Sequence, residues 1–317
     1  MNRRESFALA FGMVSMASDK PSPFVPIIDT HIHLFDPRRP QGVPWPAKDD
    51  RVLYRPALPG RYRKLAAGLG IVGAIVVECS PWFEDNQWVL DIAEQDPIVV
   101  GTVGNLDPGR ADFRARLEQL HRNPLFRGIR SGNLWGRNLS EGLSKPDFIS
   151  NLTFLADAGL VLDTANPDPP LLAAVVRLTD RIPSLKVVID HLPQLEPPSE
   201  PSARAALQAT LQELGKRPRV YVKVSEVLHP VGGHVHSDLD FYRSRLDEIW
   251  ERFGPDRLIY GSDWPNSDHS APFGEELRVV RQYIYSKGTP VAEKFFWKNS
   301  IGGYRWVKRA ASQPNVS

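Results

Sequence analysis

Eight short apolar runs, separated by longer segments of helical character, constrain the fold of this chain more than any other feature. The runs are Ile27–His33, Gly73–Glu78, Ile98–Val103, Phe126–Arg130, Leu160–Asp163, Lys186–Asp190, Val220–Val224 and Arg257–Gly261. Helix-like segments between them include Gln87–Gln95, Asp112–His121, Pro146–Ala158, Pro170–Arg181, Ala203–Leu214 and Tyr242–Arg252. Near-continuous apolar strands that alternate with helices are typical of a parallel sheet covered by helices. We therefore predict an α/β fold, a single-domain (β/α)8 TIM barrel.

The main structural rival is an open, doubly wound sheet. No glycine-rich dinucleotide or phosphate-binding fingerprint follows any of the predicted strands, although such folds commonly carry one. Polar residues gather instead just after several strands. In a barrel this carboxyl-terminal rim is where active sites lie, so the pattern favours the barrel.

Composition narrows the classes of function. The chain has 317 residues, of which 42% are hydrophobic and 24% charged, which suits one barrel domain. The net charge is only +2 and no block of lysine or arginine is present, so we expect no nucleic-acid partner. Cys79 is the only cysteine, which excludes an intrachain disulfide framework and a cysteine-based zinc cluster.

The first 24 residues predict a leader and linker outside the barrel. Arg3 and Arg4 precede the short apolar run Phe7–Val14, an arrangement similar to a twin-arginine export signal. Such a signal would direct the protein to the periplasm or outside the cell, and without it the protein is expected in the cytoplasm. The run is shorter than the roughly 18 residues that span a bilayer, so we expect no stable membrane insertion. The barrel domain is predicted over residues 25–310, with a tail at 311–317.

The candidate site residues lie at the ends of predicted strands. Side chains alternate along Ile27–His33, so His31 and His33 point into one space. Imidazole is a common metal ligand and titrates near neutral pH, so the pair indicates a metal site or proton chemistry. His191 follows the sixth strand and Asp263 the eighth. Four potential ligands are therefore expected at one rim.

Four motifs resemble those of the amidohydrolase superfamily, and more narrowly of its amidohydrolase 2 branch. They are Ile28–Pro37, Val188–His191, Val220–Ser225 and Tyr260–Pro265. This branch includes sugar-acid lactonases and 2-pyrone-4,6-dicarboxylate lactonase, and the similarity extends from about Pro26 to about Trp306. The resemblance implies a (β/α)8 barrel that carries His31, His33, His191 and Asp263 at its reacting centre.

The metal content is left open by this resemblance. Some relatives hold one divalent ion and others work without metal. No lysine ends the fourth strand to bridge two metals, so a binuclear site is not expected. One zinc or manganese ion would take nitrogen and oxygen ligands, for which the candidates are His31, His33, Glu78, His191 and Asp263. Glu78 is equally compatible with a structural role.

Hydrolysis of a lactone ring, in a sugar acid or an aromatic-breakdown intermediate, is the leading hypothesis. Asp263 is the predicted general base and proton carrier, because a carboxylate at the eighth strand end can reach a water over the histidines. The metal, or His191 with cationic side chains, would stabilise the oxyanion. The predicted substrate contacts are Arg130, Lys223, Trp82 and Trp264. Internal ion pairing is the alternative for Arg130 and Lys223.

Two other functions fit the same pattern. The first is a metal-dependent decarboxylase or hydratase of an unsaturated organic acid, whose ligands would look almost the same in sequence. The second is a binding protein for a small acid that keeps the barrel and has lost catalysis. The expected partner is a small lactone or organic acid, and the sequence leaves a homo-oligomer open.

Overall fold

A computed structural model describes residues 25–316 of the chain. The predicted export signal therefore lies outside the described residues. Eight parallel strands form one sheet in the order of the chain. They are β1 (Ile27–Ile32), β2 (Ile71–Val77), β3 (Val99–Asn105), β4 (Phe126–Arg130), β5 (Val161–Asp163), β6 (Lys186–Ile189), β7 (Val220–Val224) and β10 (Leu258–Tyr260). Each predicted strand is present, with ends that differ by at most two residues from the prediction.

The sheet curls into a barrel because its first and last strands meet. The backbone N–H of His33 donates to the Trp264 carbonyl at 2.7 Å, and Ile32 and Trp264 form a parallel bridge. The hydroxyl of Thr30 donates to the Tyr260 carbonyl at 2.6 Å. These bonds confirm the predicted single-domain (β/α)8 barrel and place the ends of β1 and β10 side by side.

Helices cover the outside of the barrel. They are α1 (Pro59–Ala66), α2 (Glu84–Gln95), α3 (Phe113–His121), α4 (Leu139–Gly142), α5 (Pro146–Asp157), α6 (Pro169–Arg181), α7 (Pro201–Gly215), α8 (Leu239–Phe253), α9 (Glu275–Tyr285), α10 (Thr289–Glu293) and α11 (Asn299–Tyr304). The six predicted helices are present, with ends that differ by at most three residues. Within residues 25–316, none of the helices has the length and apolar character that a membrane crossing requires.

Two groups of buried side chains hold the layers together. The larger group lies between the strands and the helices and includes Ile27 and Val99. The smaller group contains the neighbouring strand residues Ile28 and Val100, which point to the other face of the sheet, together with Trp306. This alternation is what a barrel with a packed interior requires, so the polar site is confined to the ends of the strands.

Two segments lie outside the strands and helices of the barrel. The His229–His236 stretch forms a short hairpin of β8 (Pro230–Val231) and β9 (His234–Val235). In the predicted tail, Gln313 is 2% exposed and its amide donates to the carbonyls of Val72 and Pro97 at 3.0 and 2.8 Å. The chain therefore packs on the barrel at least as far as this residue.

Candidate active site

Three imidazoles converge on one carboxylate oxygen at the carboxyl end of the barrel. The Nε2 atoms of His33, His31 and His191 lie 3.1, 3.3 and 3.8 Å from Asp263 Oδ1. All four side chains are buried, at no more than 6% exposure. The structure thus brings together the four residues that the sequence analysis places at one rim.

A buried carboxylate fixes this arrangement from behind. Asp29 accepts hydrogen bonds from the backbone N–H of Ser262 at 2.8 Å and of His31 at 3.1 Å, and from the Tyr62 hydroxyl at 2.7 Å. Gly261 permits the close approach of the two strands, because a Cβ there would lie 2.8 Å from the His31 Cβ. Asp29 therefore links β1 to the turn that follows β10, and this link sets the distance from Asp263 to the histidines.

Backbone strain is concentrated at this site. Among residues 25–316, six residues other than glycine have a positive φ, and five of them line the cavity above the histidines. These five are Trp135, Asn166, His191, Glu226 and Asp263. A left-handed backbone costs such residues roughly 1–3 kcal/mol and persists only where the surroundings determine it, which is common at functional sites. The turns after β4 to β7 and β10 are thus shaped to aim side chains into one space.

The Nδ1 atoms of His33 and His191 each contact a different neighbouring residue. His33 Nδ1 lies 2.8 Å from the Val77 carbonyl, and His191 Nδ1 lies 2.9 Å from the Ser225 hydroxyl. A carbonyl only accepts, so the proton of a neutral His33 ring sits on Nδ1. The lone pair on Nε2 then faces Asp263 Oδ1 at 3.1 Å. Two acceptors this close require a cation between them, either a proton or a metal ion.

Burial and charge set the protonation of the cluster. Burial lowers the pKa of His191 to about 3, with Arg130 and Lys223 adding repulsion against the attraction of Asp263. Burial, then Lys223, also holds the pKa of His31 well below its usual range. Burial alone would raise the pKa of Asp263, but the nearby His191 and His33 outweigh it and hold this pKa well below its usual range. The result is an ionised Asp263 carboxylate beside the neutral imidazoles of His31 and His191.

This cluster fits a divalent metal ion. Three overlapping groups of ligand atoms each lie within 4.8 Å of one another, namely His31, His33 and Asp263; His31, Asp190 and His191; and His191, Glu226 and Asp263. Neutral imidazole nitrogens and a carboxylate oxygen form a ligand set that zinc and manganese accept. The lone pair of His33 that faces Asp263 is the independent sign that a cation belongs there.

Glu78 does not join the ligands, which corrects its predicted role. Its Oε1 accepts from Arg130 Nε at 3.0 Å, and its Oε2 accepts from the Trp135 indole at 3.1 Å and from the Ser80 backbone at 3.0 Å. Both oxygens are therefore occupied, and Glu78 belongs to none of the three ligand groups among the described residues. It orients Arg130 and Trp135 instead.

Arg130 lines the cavity, as a substrate-binding residue must. Its Nη2 donates to the Glu78 carbonyl at 2.7 Å, and its Nη1 lies 3.7 Å from Asp190 Oδ2. Burial alone would lower its pKa, but Glu78 and Asp190 outweigh burial and raise it. Arg130 thus stays cationic but is already paired, and its contact with substrate stays a prediction.

Lys223 cannot touch a substrate in this structure, which corrects a second prediction. Its side chain has 0% exposure, and Nζ lies 2.7 Å from Asp163 Oδ2, 2.9 Å from Asp190 Oδ1 and 3.3 Å from His31 Nδ1. The internal ion pair, the alternative reading of its position, is therefore what the fold contains. It lies directly beneath the histidines.

The two predicted tryptophan contacts are also corrected. Trp264 has 0% exposure and packs against Tyr62, with ring centroids 5.3 Å apart. Trp82 lines a separate, mostly apolar cavity beside the site rather than the cavity above the histidines. Sequence position after a strand did not distinguish these rings from Trp45 and Trp135, which do line the cavity above the histidines.

The cavity above the histidines has a volume of about 240 Å³. Its wall is formed by His33, Trp45, Cys79, Arg130, Leu134, Trp135, Asn166, His191, Glu226, Asp263 and Asn266. Glu226 and Asn266 are functional candidates that the sequence analysis missed. Both lie within three residues of recognised positions, Ser225 and Asp263, so the strand-end rule extended by a few residues would have found them. Burial and then repulsion from Asp263 raise the pKa of Glu226 well above its usual range.

Comparison with known proteins extends the picture. The sequence model of the amidohydrolase family, in its amidohydrolase 2 form, matches residues 28–306. An L-fucono-1,5-lactonase of Burkholderia ambifaria is 32% identical to this chain over 253 residues, which cover 78% of this chain and 83% of that protein.

Two solved structures share the fold. A zinc-bound amidohydrolase of Burkholderia multivorans superposes with a TM-score of 0.78 at 23% identity, over 89% of this chain and 100% of that chain. A probable 2-pyrone-4,6-dicarboxylic acid hydrolase of Acinetobacter baumannii, with citric acid bound, gives a TM-score of 0.68 at 20% identity over 88% of this chain and 99% of that chain. At these identities the similarity concerns the fold.

Proposed function

This chain belongs to the amidohydrolase family, and from that membership we propose that it is a hydrolase that opens the ring of a sugar-acid lactone. One observation carries the proposal. Three imidazoles lie 3.1 to 3.8 Å from one ionised carboxylate oxygen, Asp263 Oδ1, at the inner end of an open cavity. A lactone carbonyl above this point would meet a base and a cluster of cation ligands together.

Asp263 acts as the general base. Its low pKa keeps the carboxylate ionised, and the Asn266 amide donates to Oδ2 at 2.8 Å, which fixes its orientation. The carboxylate takes a proton from the water that attacks the lactone carbonyl. It then returns this proton to the ring oxygen that leaves as an alcohol, so that the products are a hydroxy acid and regenerated Asp263.

The imidazoles would stabilise the charge that develops on the carbonyl oxygen through the cation that they hold. His31, His33, His191 and Asp263 would hold the divalent ion, which when bound polarises the carbonyl and lowers the pKa of water. Ser225 and the Val77 carbonyl hold the rings of His191 and His33 in place for this role. Because the ring orientation is fixed before substrate arrives, little reorganisation is needed during the reaction.

The cavity wall favours a neutral, hydroxylated lactone over a pyrone dicarboxylate. Among the described residues that line the cavity, Arg130 is the only lysine or arginine, and it is already paired with Glu78. A dicarboxylate would require unpaired cations. Asn166, Asn266 and Glu226 offer hydrogen bonds, and tryptophan rings offer flat apolar faces, which suit the hydroxyls and the C–H faces of a sugar ring. The lactonase name of the Burkholderia ambifaria relative supports the same choice.

A substrate panel tests the proposal. Purified protein supplied with zinc or manganese is mixed with aldono-1,5-lactones, including L-fucono-1,5-lactone, and with 2-pyrone-4,6-dicarboxylate, and acid release is followed with a pH indicator. We expect hydrolysis of at least one aldonolactone, with kcat/KM at least tenfold above that for the pyrone. No acid release from any lactone would overturn the proposal. Carbon dioxide release from unsaturated or aromatic acids would favour the decarboxylase instead.

A further inference from the structure

We infer that Glu226 and Asn266 form a hydroxyl-binding subsite, which recognises the hydroxyl on the carbon next to the lactone carbonyl. The inference rests on the proposed lactone hydrolysis and adds a determinant of substrate choice to it. Neither residue holds an ion pair with lysine or arginine among the described residues, and both line the cavity above the histidines.

Asn266 ties Glu226 to the general base. Its Nδ2 donates to Glu226 Oε1 at 2.8 Å and to Asp263 Oδ2 at 2.8 Å. One amide group thus spans the two carboxyl groups, and the donation fixes which oxygen of each faces the amide. The remaining oxygen of Glu226 is left to point elsewhere.

That remaining oxygen, Oε2, is open to a ligand. It lies 3.7 Å from His191 Nδ1, beyond hydrogen-bond distance, and that nitrogen already pairs with the Ser225 hydroxyl at 2.9 Å. The other neighbour of this carboxyl group is Asp263, which repels Glu226 when it is ionised and shares a hydrogen bond with it when it is protonated. Because the Glu226 side chain is only 17% exposed and borders the cavity, a ligand hydroxyl that enters there would meet a poorly hydrated carboxyl group with hydrogen-bonding capacity left.

The backbone supports the same reading. Glu226 has φ 51°, a left-handed conformation that a residue with a Cβ adopts at a cost. Ser225, just before it, is turned toward His191, and Asn266 holds its carboxyl group from the other side. These contacts therefore stabilise the left-handed backbone of Glu226, which directs its carboxyl group into the cavity.

The position of Glu226 indicates which substituent it meets. Ligand atoms of His191, Glu226 and Asp263 lie within 4.8 Å of one another. Since Asp263 acts on the water at the carbonyl carbon, a group this close reaches the substituent one carbon away. A hydroxyl can both donate and accept, so it pairs with Glu226 whether that carboxyl group is ionised or protonated.

Substrate and enzyme variants are combined to test this inference. An aldono-1,5-lactone that carries a 6-hydroxyl and that wild-type protein hydrolyses is compared with its 2-deoxy and 6-deoxy counterparts, in wild type, Glu226→Leu and Glu226→Gln. We expect wild type to prefer the 2-hydroxy over the 2-deoxy lactone by about 10- to 100-fold in kcat/KM. In Glu226→Leu this preference should fall to within about threefold of unity, whereas Glu226→Gln, which still forms hydrogen bonds, should keep most of it.

The ratio for two substrates does not depend on how much of a variant is folded, so partial misfolding cannot imitate the result. The preference for the 6-hydroxyl should be the same in wild type and Glu226→Leu. An unchanged 2-hydroxyl preference in Glu226→Leu overturns the inference while lactone hydrolysis stands. Equal losses on all three lactones in Glu226→Gln also overturn it, since that result describes a proton donor. Failure of the wild type on every lactone overturns the proposed function itself.

Discussion

Two sets of polar residues lie near the carboxyl ends of the barrel strands, one above the other, and they differ in their contacts. The upper set, the rim, comprises His33, His191, Glu226 and Asp263, and it lines the cavity. The lower set, the floor, comprises Asp163, Asp190, Lys223 and Tyr304, and its members are at most 2% exposed. Both sets hold charged residues of the kinds that perform catalysis.

Pairing separates the two sets. In the floor, Lys223 lies 2.7 and 2.9 Å from two carboxylates, and the Tyr304 hydroxyl donates to Asp163 at 2.8 Å. In the rim, Nε2 of His33 lies 3.1 Å from Asp263 Oδ1, and both atoms lie beside the cavity. His31 belongs to both, with Nδ1 3.3 Å from Lys223 and Nε2 3.3 Å from Asp263. The floor is thus a buried group of ion pairs beneath the histidines, while the residues of the rim face the cavity.

Asp263→Asn should remove activity, which depends on the rim, and leave the ion pairs of the floor intact. Without its general base, the enzyme should lose about 10²- to 10⁴-fold in kcat on its lactone. Circular dichroism and the thermal midpoint of the variant would show that the barrel is still folded. Turnover within tenfold of wild type would contradict the assignment of the base.

Lys223→Met should remove the ion pairs of the floor with Asp163 and Asp190. Two buried carboxylates would then lack their countercharge, which we expect to lower the free energy of unfolding by about 3–5 kcal/mol. Urea denaturation at pH 7 measures this change. The double variant Lys223→Met with Asp163→Asn removes one of the stranded charges and should recover part of the stability. A loss below about 1 kcal/mol would contradict the supporting role.

Metal binding should depend on the rim and not on Glu78. Zinc or manganese at about 100 times its dissociation constant should stabilise wild-type protein by about 2.7 kcal/mol. This shift should be lost in His33→Asn and kept in Glu78→Gln, as measured by thermal denaturation with and without a chelator. Equal loss in both variants would restore Glu78 to the ligand set.

The pH dependence of the free energy of unfolding should show that His191 is neutral in the folded protein. Its pKa is about 3 in the folded protein and about 6.5 in an unfolded chain. Between these values the unfolded state binds more protons, so the free energy of unfolding falls as the pH falls from 6.5 to 3. With chelator present, His191→Asn should reduce this slope by up to about 1.4 kcal/mol per pH unit. The exposed His234→Asn serves as the control, and an equal slope in wild type and His191→Asn would contradict the reasoning.

Much of this molecule could be predicted from local sequence. Runs of apolar residues identify every barrel strand, because a strand covered on both faces must be apolar throughout. The alternation of side chains places His31 and His33 together, and the position after a strand identifies His191 and Asp263. Which ring nitrogen of His33 meets Asp263, by contrast, depends on the contact of Nδ1 with the Val77 carbonyl, and local sequence does not encode that contact.

The errors share one physical reason. Lys223, Trp264 and Glu78 occupy the same kind of position as the true site residues, and the sequence assigns them to substrate or metal. Only the packing decides that the first two are fully buried and that the third pairs with Arg130. Glu226 enters the site for the converse reason, since a left-handed turn after β7 aims it inward.

The sequence by itself therefore determined the barrel, its closure between the first and last strands, and the four residues that meet at the carboxyl end of the strands. These depend on periodicity and on the parallel order of strands, which are local properties repeated along the chain. Only the tertiary structure shows which charged side chains form ion pairs in the floor and which face the cavity in the rim. The difference depends on distances of about 3 to 4 Å between residues that are far apart in the sequence, which local sequence patterns do not specify.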